Sequence, residues 1–371
     1  MHSIEESRSY CSACPKMCHF SCPVAEVEKN EAYSPTLKQQ TAKLIEEKKL
    51  PLNQDHALAA YKCLSCRASR EYCDHKIQVT DSLQALREKA VLAHAAPSEV
   101  YLFEKKFKKF NNPYGIDLQK KIKTLPSECF SPKKAEVFFP TCHQLALNPH
   151  CPNDYLKLFK KLKANSLRVA DEAIQCCGYS LWSLGFKEEF EEMAHIQFYH
   201  LQGAKKIVVG SPECAWAMKE LYPKLGMKWK GEVLSLFEYV ANRFQEVPFQ
   251  TKLEASQKYM YHDACYMGRY LGQYERPRQW LEMLTGVEVE EFYCHGENSI
   301  CSGAGGGYKL HAPLQAKQIA QNHLQEMKEK GIKVLITACP QSAEHFRRSG
   351  EKIIVKDLVG FLGEQIVEMK E

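Results

Sequence analysis

The chain has 371 residues, a formal net charge of +5 and 17 cysteines. That is too much cysteine for thiols used only as small hydrophobes, and too long a chain for a disulfide-stapled mini-protein. A hydrophobic content of 44% and a charged content of 26% suit a globular protein with a sizeable core. No long basic run argues for nucleic acid. Met1 to Ser9 carry no apolar signal core. No stretch approaches the roughly 18 consecutive apolar residues of a membrane span. A cytoplasmic chain is expected, with its cysteines as thiols or metal ligands.

Seven cysteines fall in two early groups. The first is Cys11-Ser-Ala-Cys14-Pro-Lys-Met-Cys18-His-Phe-Ser-Cys22-Pro23. The second is Cys63-Leu-Ser-Cys66-Arg-Ala-Ser69-Arg-Glu-Tyr-Cys73-Asp74. Two intervening residues let a turn aim both sulfurs at one point, and Pro23 stops the first loop from continuing as helix. Such pairs also hold zinc. Four cysteines this close, followed by proline, favour iron–sulfur ligation. Bacterial ferredoxins use Cys-x2-Cys-x2-Cys-x3-Cys-Pro twice, and the fourth cysteine of each run serves the other cluster. By that rule Cys11, Cys14, Cys18 and Cys73 form one set. Cys22, Cys63 and Cys66 form the other, one thiolate short. Ser69 stands at the missing position. The expected outcomes there are a serine alkoxide ligand or a three-iron cluster, with His75 a weaker candidate ligand.

A helix is expected over Ser34 to Lys49 and a second from near Asp55. Glu104 to Phe110 reads as a charged helix face, and Asn111-Asn-Pro-Tyr-Gly115 as a turn. Pro126 to Lys134 is polar and loop-like. The expected division is a helical cluster-binding domain over 1–115, a linker over 116–134, and two α/β units over 135–250 and 257–371.

Those two units repeat each other. Val137-Phe-Phe-Pro-Thr-Cys142, Cys176-Cys177-Gly178 and Ser211-Pro-Glu-Cys214 align with Met260-Tyr-His-Asp-Ala-Cys265, Cys301-Ser302-Gly303 and Cys339-Pro-Gln-Ser342. The offset drifts from 123 to 128 residues along the unit, as loop insertions require. Each unit alternates short apolar strands with helical stretches, Lys187 to Gly203 in one and Leu314 to Gly331 in the other. This predicts parallel sheets with cysteines at strand C-terminal ends, where such sheets put cofactors. Gly178, Gly303, Gly305 and Gly306 are read as glycines that turn backbone N–H groups toward a cluster or an anion. A plain tight turn is the alternative.

At these residues the chain resembles the cysteine-rich CCG domain family. That family includes the catalytic subunit of heterodisulfide reductase and the iron–sulfur subunits of glycolate, lactate and anaerobic glycerol-3-phosphate dehydrogenases. The resemblance implies an iron–sulfur oxidoreductase with a flavoprotein dehydrogenase or electron-transfer flavoprotein as partner. A quinone or a membrane-linked subunit would accept electrons, with any membrane contact peripheral, on the inner face. It also implies five thiolates per complete repeat. Here the first repeat keeps Cys142, Cys176, Cys177 and Cys214 but has Ser211, and the second keeps Cys265, Cys301 and Cys339 but has Ser302 and Ser342. Serine is a poor iron ligand. The expectation is therefore two [4Fe-4S]-type centres in the N-terminal part, the one beside Ser69 either four-iron or three-iron. One cubane is expected in the first repeat, and an incomplete or absent centre in the second, where Cys294 is either a fourth ligand or a free thiol. A thiol–disulfide reductase and a non-catalytic redox sensor are the competing readings. An oxidised four-thiolate cubane carries about −2, so three of them would turn +5 into about −1.

Arg269 and Arg278 are expected in structural salt bridges, and His143 and His262 in hydrogen bonds to cluster sulfur. Cys129 and Cys151 match no motif.

Overall fold

The computed structural model describes residues 2–130, 135–148, 153–164, 166–170, 176–246, 249–251, 257–350 and 352–367. Ten strands are numbered in chain order: β1 (Glu136–Phe139), β2 (Leu167–Val169), β3 (Lys206–Val209), β4 (Glu232–Ser235), β5 (Gln250–Thr251), β6 (Tyr259–His262), β7 (Glu290–Glu291), β8 (Val334–Thr337), β9 (Ile354–Asp357) and β10 (Ile366–Val367). They build two parallel four-stranded sheets with the same order, β2-β1-β3-β4 and β7-β6-β8-β9. The internal repeat is therefore a repeat of topology. The central strands read as short unbroken apolar runs, as strands buried on both faces must. Phe138, Phe139, Val208 and Val209 in one sheet, and Met260, Tyr261, Leu335 and Ile336 in the other, are without solvent contact.

The helices that precede the central crossover strands are Lys187–Leu201 and Pro313–Glu329. Each sheet is closed by a helix after its last strand, Leu236–Glu246 and Leu358–Gln365. One apolar core runs through both units, from Phe138 and Val208 to Tyr259, Ile336 and Leu362. The antiparallel pair β5–β10 ties the chain end back to the segment between the repeats. Lys161 adds bonds from its Nζ to the carbonyls of Gly363 and Ile366, at 3.0 and 2.9 Å.

The N-terminal part is helical. Ser3 and Glu6 cap the helix Ile4–Ala13 reciprocally. Ser34 caps Pro35–Glu46 and Asn53 caps Gln54–Tyr61. The charged stretch is the end of a helix, Ser98–Phe110, stopped by Asn111 at φ +55. Asn112 then builds the turn. Its Oδ1 accepts from the amides of Tyr114 and Gly115, both at 3.0 Å, and its Nδ2 donates to the carbonyls of Phe110 and Ile116. The stretch read as a linker instead holds a helix, Leu118–Ile122, with Leu118 and Ile122 in the main core.

A fully buried arginine joins the helices to the first repeat. Arg87 donates to the carbonyls of Ala60, Cys63 and Ser183 and to Ser65 Oγ. Beside it, Tyr61 OH donates to the Leu184 carbonyl at 3.1 Å. A buried guanidinium is tolerated because its donors find acceptors. Arg87→Met removes them and leaves buried carbonyls unpaired. The expected loss is about 3 kcal/mol, measured by urea denaturation.

His311 lies between the Tyr61 and Tyr308 rings, with centroids 6.4 and 5.6 Å away. Burial, then the charges of Lys62 and Arg87, hold its pKa down at about 4. The unfolded imidazole takes up a proton near pH 6.5, and the folded one does not until about 4. Stability therefore falls as pH drops through that window, by up to about 3 kcal/mol. His311→Gln should flatten this acid limb in denaturation curves compared at neutral pH and at about pH 4.5.

Candidate functional site

The two early cysteine groups interleave in space. Cys11, Cys14, Cys18 and Cys73 are neighbours, although Cys73 lies 55 positions after Cys18. Cys14, Cys18 and Cys73 line an open cleft of about 720 Å³. Burial, then the other three thiols, push the Cys11 thiol up to about 12. Cys22, Cys63, Cys66 and Ser69 line a second, smaller cavity of about 30 Å³. His75 lies with the first set, stacked on Tyr10, and so is not a ligand candidate for the second.

Local backbone explains how the loops present sulfur. Lys16, Ser65 and Arg67 adopt left-handed conformations at φ +63, +54 and +60. Non-glycine residues seldom do so without a compensating contact. Here the amide of Lys16 points at Cys14 Sγ (3.3 Å) and that of Ser65 at Cys63 Sγ (3.4 Å). Lys38 Nζ stands 3.9 Å from Cys22 Sγ. Arg67 lies over the Tyr270 ring at 3.8 Å.

In the first repeat, all four thiols are buried beside one another. Cys142 Sγ is 3.6 Å from Cys176 Sγ, and Cys177 Sγ is 2.9 Å from Cys214 Sγ. Cys142 begins the helix after β1, the Cys176–Cys177 pair precedes a left-handed Gly178, and Cys214 lies in the helix after β3. All therefore meet beyond the C-terminal ends of parallel strands. Burial pushes the Cys142 and Cys177 thiols well up. Hydrogen bonds from the Cys142 and Cys177 thiols hold Cys176 well down, so the full set becomes thiolate only alongside a cation. Four buried thiols, and amides aimed at sulfur in the N-terminal loops, fit thiolate-ligated clusters. Among the described residues, no three His, Cys, Asp or Glu side chains close on a single-ion site.

The second repeat is arranged differently. Cys265 and Cys301 are hydrogen-bonding neighbours. Cys339 turns away to Glu213 Oε2, at 3.8 Å. Ser302 and Ser342 hydrogen-bond to each other at 2.9 Å. Cys294 sits beside Tyr72, outside this group. Gly303, Gly305 and Gly306 lie close against neighbouring backbone. A Cβ on Gly305 would meet the Leu64 carbonyl oxygen at 2.6 Å, and one on Gly306 the Cys63 carbonyl oxygen at 2.2 Å.

Between the repeats lies a cleft of about 150 Å³. Its floor joins residues that occupy equivalent repeat positions. Gln341 Nε2 donates to Glu213 Oε1 at 3.0 Å and lies 2.8 Å from His143 Nε2, while His143 Nδ1 meets Tyr114 OH at 2.6 Å. Lys309 reaches the same cleft. Glu213, Gln341, Tyr114 and Lys309 carry no motif of their own. The alignment of Pro212-Glu213 with Pro340-Gln341 is the signal that points to the first two.

Four side-chain expectations resolve. Arg278 pairs with Asp263 (2.7 Å) and Glu291 (2.5 Å), as expected. Among the described residues Arg269 forms no salt bridge. It donates to the carbonyls of Cys66 (2.6 Å), Glu297 and Ser299, because the Cys66 loop brings it carbonyls and no carboxylate. His143 bonds Tyr114 and Gln341, and His262 bonds Thr337 Oγ1, instead of sulfur. Cys129 packs on the main core, and Cys151 lies outside the described residues.

Twin parallel sheets with cysteines beyond their strand ends define the class. Residues 137–219 and 259–346 match the model of the CCG cysteine-rich domain. It is similar to one subunit of the dihydromethanophenazine:CoB–CoM heterodisulfide reductase of Methanosarcina barkeri, 25% identical over 82% of this chain and 77% of the relative. It is similar to one subunit of the fumarate reductase (CoM/CoB) of Methanothermobacter marburgensis, 25% identical over 79% and 58%. It is similar to the EtfAB:quinone oxidoreductase of Syntrophomonas wolfei, 24% identical over 76% and 42%. The chain is an iron–sulfur oxidoreductase with a role in electron transfer. No helix among the described residues is long and apolar enough to cross a membrane.

Gln341→Glu would set a second buried carboxyl about 3 Å from Glu213, where both cannot ionise cheaply. The expected destabilisation is roughly 3 kcal/mol, read by denaturant unfolding against wild type.

Proposed function

We propose that this chain is an electron-transfer subunit. It would carry electrons between a flavoprotein dehydrogenase, or an electron-transfer flavoprotein, and a quinone or other carrier. The observation that carries this reading is the crossed grouping of Cys11, Cys14 and Cys18 with Cys73, and of Cys22 with Cys63 and Cys66. That is the pairing of a two-cluster ferredoxin. The name of the Syntrophomonas relative supports the flavoprotein and quinone ends of the path.

Cys11, Cys14, Cys18 and Cys73 would hold one [4Fe-4S] cluster, and Cys22, Cys63 and Cys66 a second. Cys142, Cys176, Cys177 and Cys214 would hold a third. Bound there, the clusters supply one-electron redox couples. The protein's part is electrostatics and exclusion of water. Lys38 near Cys22, and Arg269 near Cys66, set positive charge beside thiolates and favour the reduced, more negative state. The buried first-repeat site keeps solvent from its sulfurs, whereas the cleft at Cys14, Cys18 and Cys73 is open. That opening makes the first set the natural point of exchange with a partner. The Ser302–Ser342 bond stands where the resemblance would need two more thiolates, which weighs against disulfide reduction in the second repeat.

The crossed grouping makes a specific prediction. Cys73→Ser should abolish the same reduced-state paramagnetic resonance signal as Cys14→Ser, and Cys66→Ser a different one. The measurement is low-temperature resonance on anaerobically purified, dithionite-reduced protein, with iron and sulfide assayed alongside. Zinc in place of iron would overturn the electron-transfer reading.

A further inference from the structure

The second N-terminal cysteine set is one thiolate short, with Ser69 at the ferredoxin position. Resting on the cluster reading above, we propose that Cys301, from the second CCG repeat, supplies that missing ligand. The thiol crosses from the α/β part to the helical part, and Ser69 is only a bystander in the cavity wall.

Packing is the first ground. Cys22, Cys66 and Cys301 share one apolar nucleus with Val24, Leu64 and Tyr308. Within it the Cys66 and Cys301 thiols are hydrogen-bonding neighbours. Cys301 is buried, at 3% exposure, against the Cys63–Cys66 loop and not in the cleft wall alone.

Backbone shape is the second ground. The segment after Cys301 is Ser-Gly-Ala-Gly-Gly-Gly. Side chains at Gly305 and Gly306 would strike the carbonyl oxygens of Leu64 and Cys63. The glycines thus let one main chain lie directly on the other. Two clamps hold the register: Arg269 Nε on the Cys66 carbonyl at 2.6 Å, and Tyr270 OH on the Ser65 carbonyl at 2.7 Å.

The third ground is the fate of the other thiols in the second repeat. Cys339 faces Glu213, and Ser302 and Ser342 satisfy each other. Cys301 is therefore not drawn into a four-thiol set of its own repeat. Cys265 is the neighbour of Cys301 within the second repeat. The chemistry is that of every other ligand: Cys301 releases its proton to solvent and its sulfur bonds iron as thiolate. Sulfur also suits iron better than the Ser69 hydroxyl does.

The test uses the full chain, prepared anaerobically and reconstituted with iron and sulfide. Iron is counted, and resonance spectra are taken oxidised and reduced. Ser69→Ala should keep iron and both spectra. Cys301→Ala should lose about one iron per chain and gain the oxidised-state signal of a three-iron cluster. The double variant Cys301→Ala/Ser69→Cys restores the usual ferredoxin spacing and should recover the lost iron and reduced signal. Cys301→Ser, nearly isosteric, gives the same reading if the alanine variant does not fold. An iron loss in Ser69→Ala, an unchanged Cys301 variant, or a three-iron centre already present in wild type would overturn the assignment. So would a loss that Ser69→Cys does not rescue and that Cys265→Ala and Cys339→Ala share. Wild-type protein without iron would instead sink the cluster reading itself, a separate result.

Discussion

The carbonyls of one short segment, residues 60 to 66 at the end of the helix Gln54–Tyr61 and the loop after it, hold the molecule together. Arg87 takes those of Ala60 and Cys63, Arg269 takes that of Cys66, and Tyr270 takes that of Ser65. Both guanidinium groups are buried. A buried charge is costly unless its donors are matched, so each arginine demands its carbonyls in place. Arg87 also reaches Ser183 in the first repeat, and Arg269 belongs to the second. The Cys63–Cys66 loop is thus clamped between both α/β units. An electron carrier needs its centres at fixed separations, and this clamp fixes one set of thiols against the rest of the fold.

The twin sheets show how one topology can be put to different uses. Strand order is identical, and the loops that follow β1, β3, β6 and β8 carry cysteines in both copies. Yet the first copy gathers four buried thiols, while in the second Cys301 neighbours both Cys265 and Cys66 of the helical part, and Cys339 faces Glu213. The bond between Glu213 and Gln341 joins equivalent positions across the two repeats. Two carboxylates there would repel, and two amides would not reproduce the charge-assisted contact. The copies have diverged so that each complements the other.

Much of this is legible in the residues. Unbroken apolar runs such as Ile207-Val-Val and Val334-Leu-Ile mark buried parallel strands, and the drifting offset marks two copies of one unit. The cap residues Ser34 and Asn53, and the Asn111–Gly115 turn, announce their elements through short-range hydrogen bonds. The stretch over 116–134 reads as a linker because Leu118 and Ile122 are apolar only at helical spacing, and their partners lie far along the chain. Arg269 reads as a salt-bridge residue for the same reason. Its acceptors include the carbonyl of Cys66, 203 residues earlier, and carbonyls carry no sequence signal.

The sequence by itself determined the strands, the repeat and the thiol inventory, because these depend on periodicity and on residue type. Even the grouping of Cys73 with Cys11, Cys14 and Cys18 followed from spacing. What Ser69 costs the second set could not be read that way. Whether a serine, an empty site or a distant thiol stands there depends on which loop packs on Cys63–Cys66. Which loop packs there only the tertiary structure decided, through a glycine run thin enough to touch a backbone and two arginines that need its carbonyls. The seventeen cysteines were a count in the sequence, and their distances became a property of the fold.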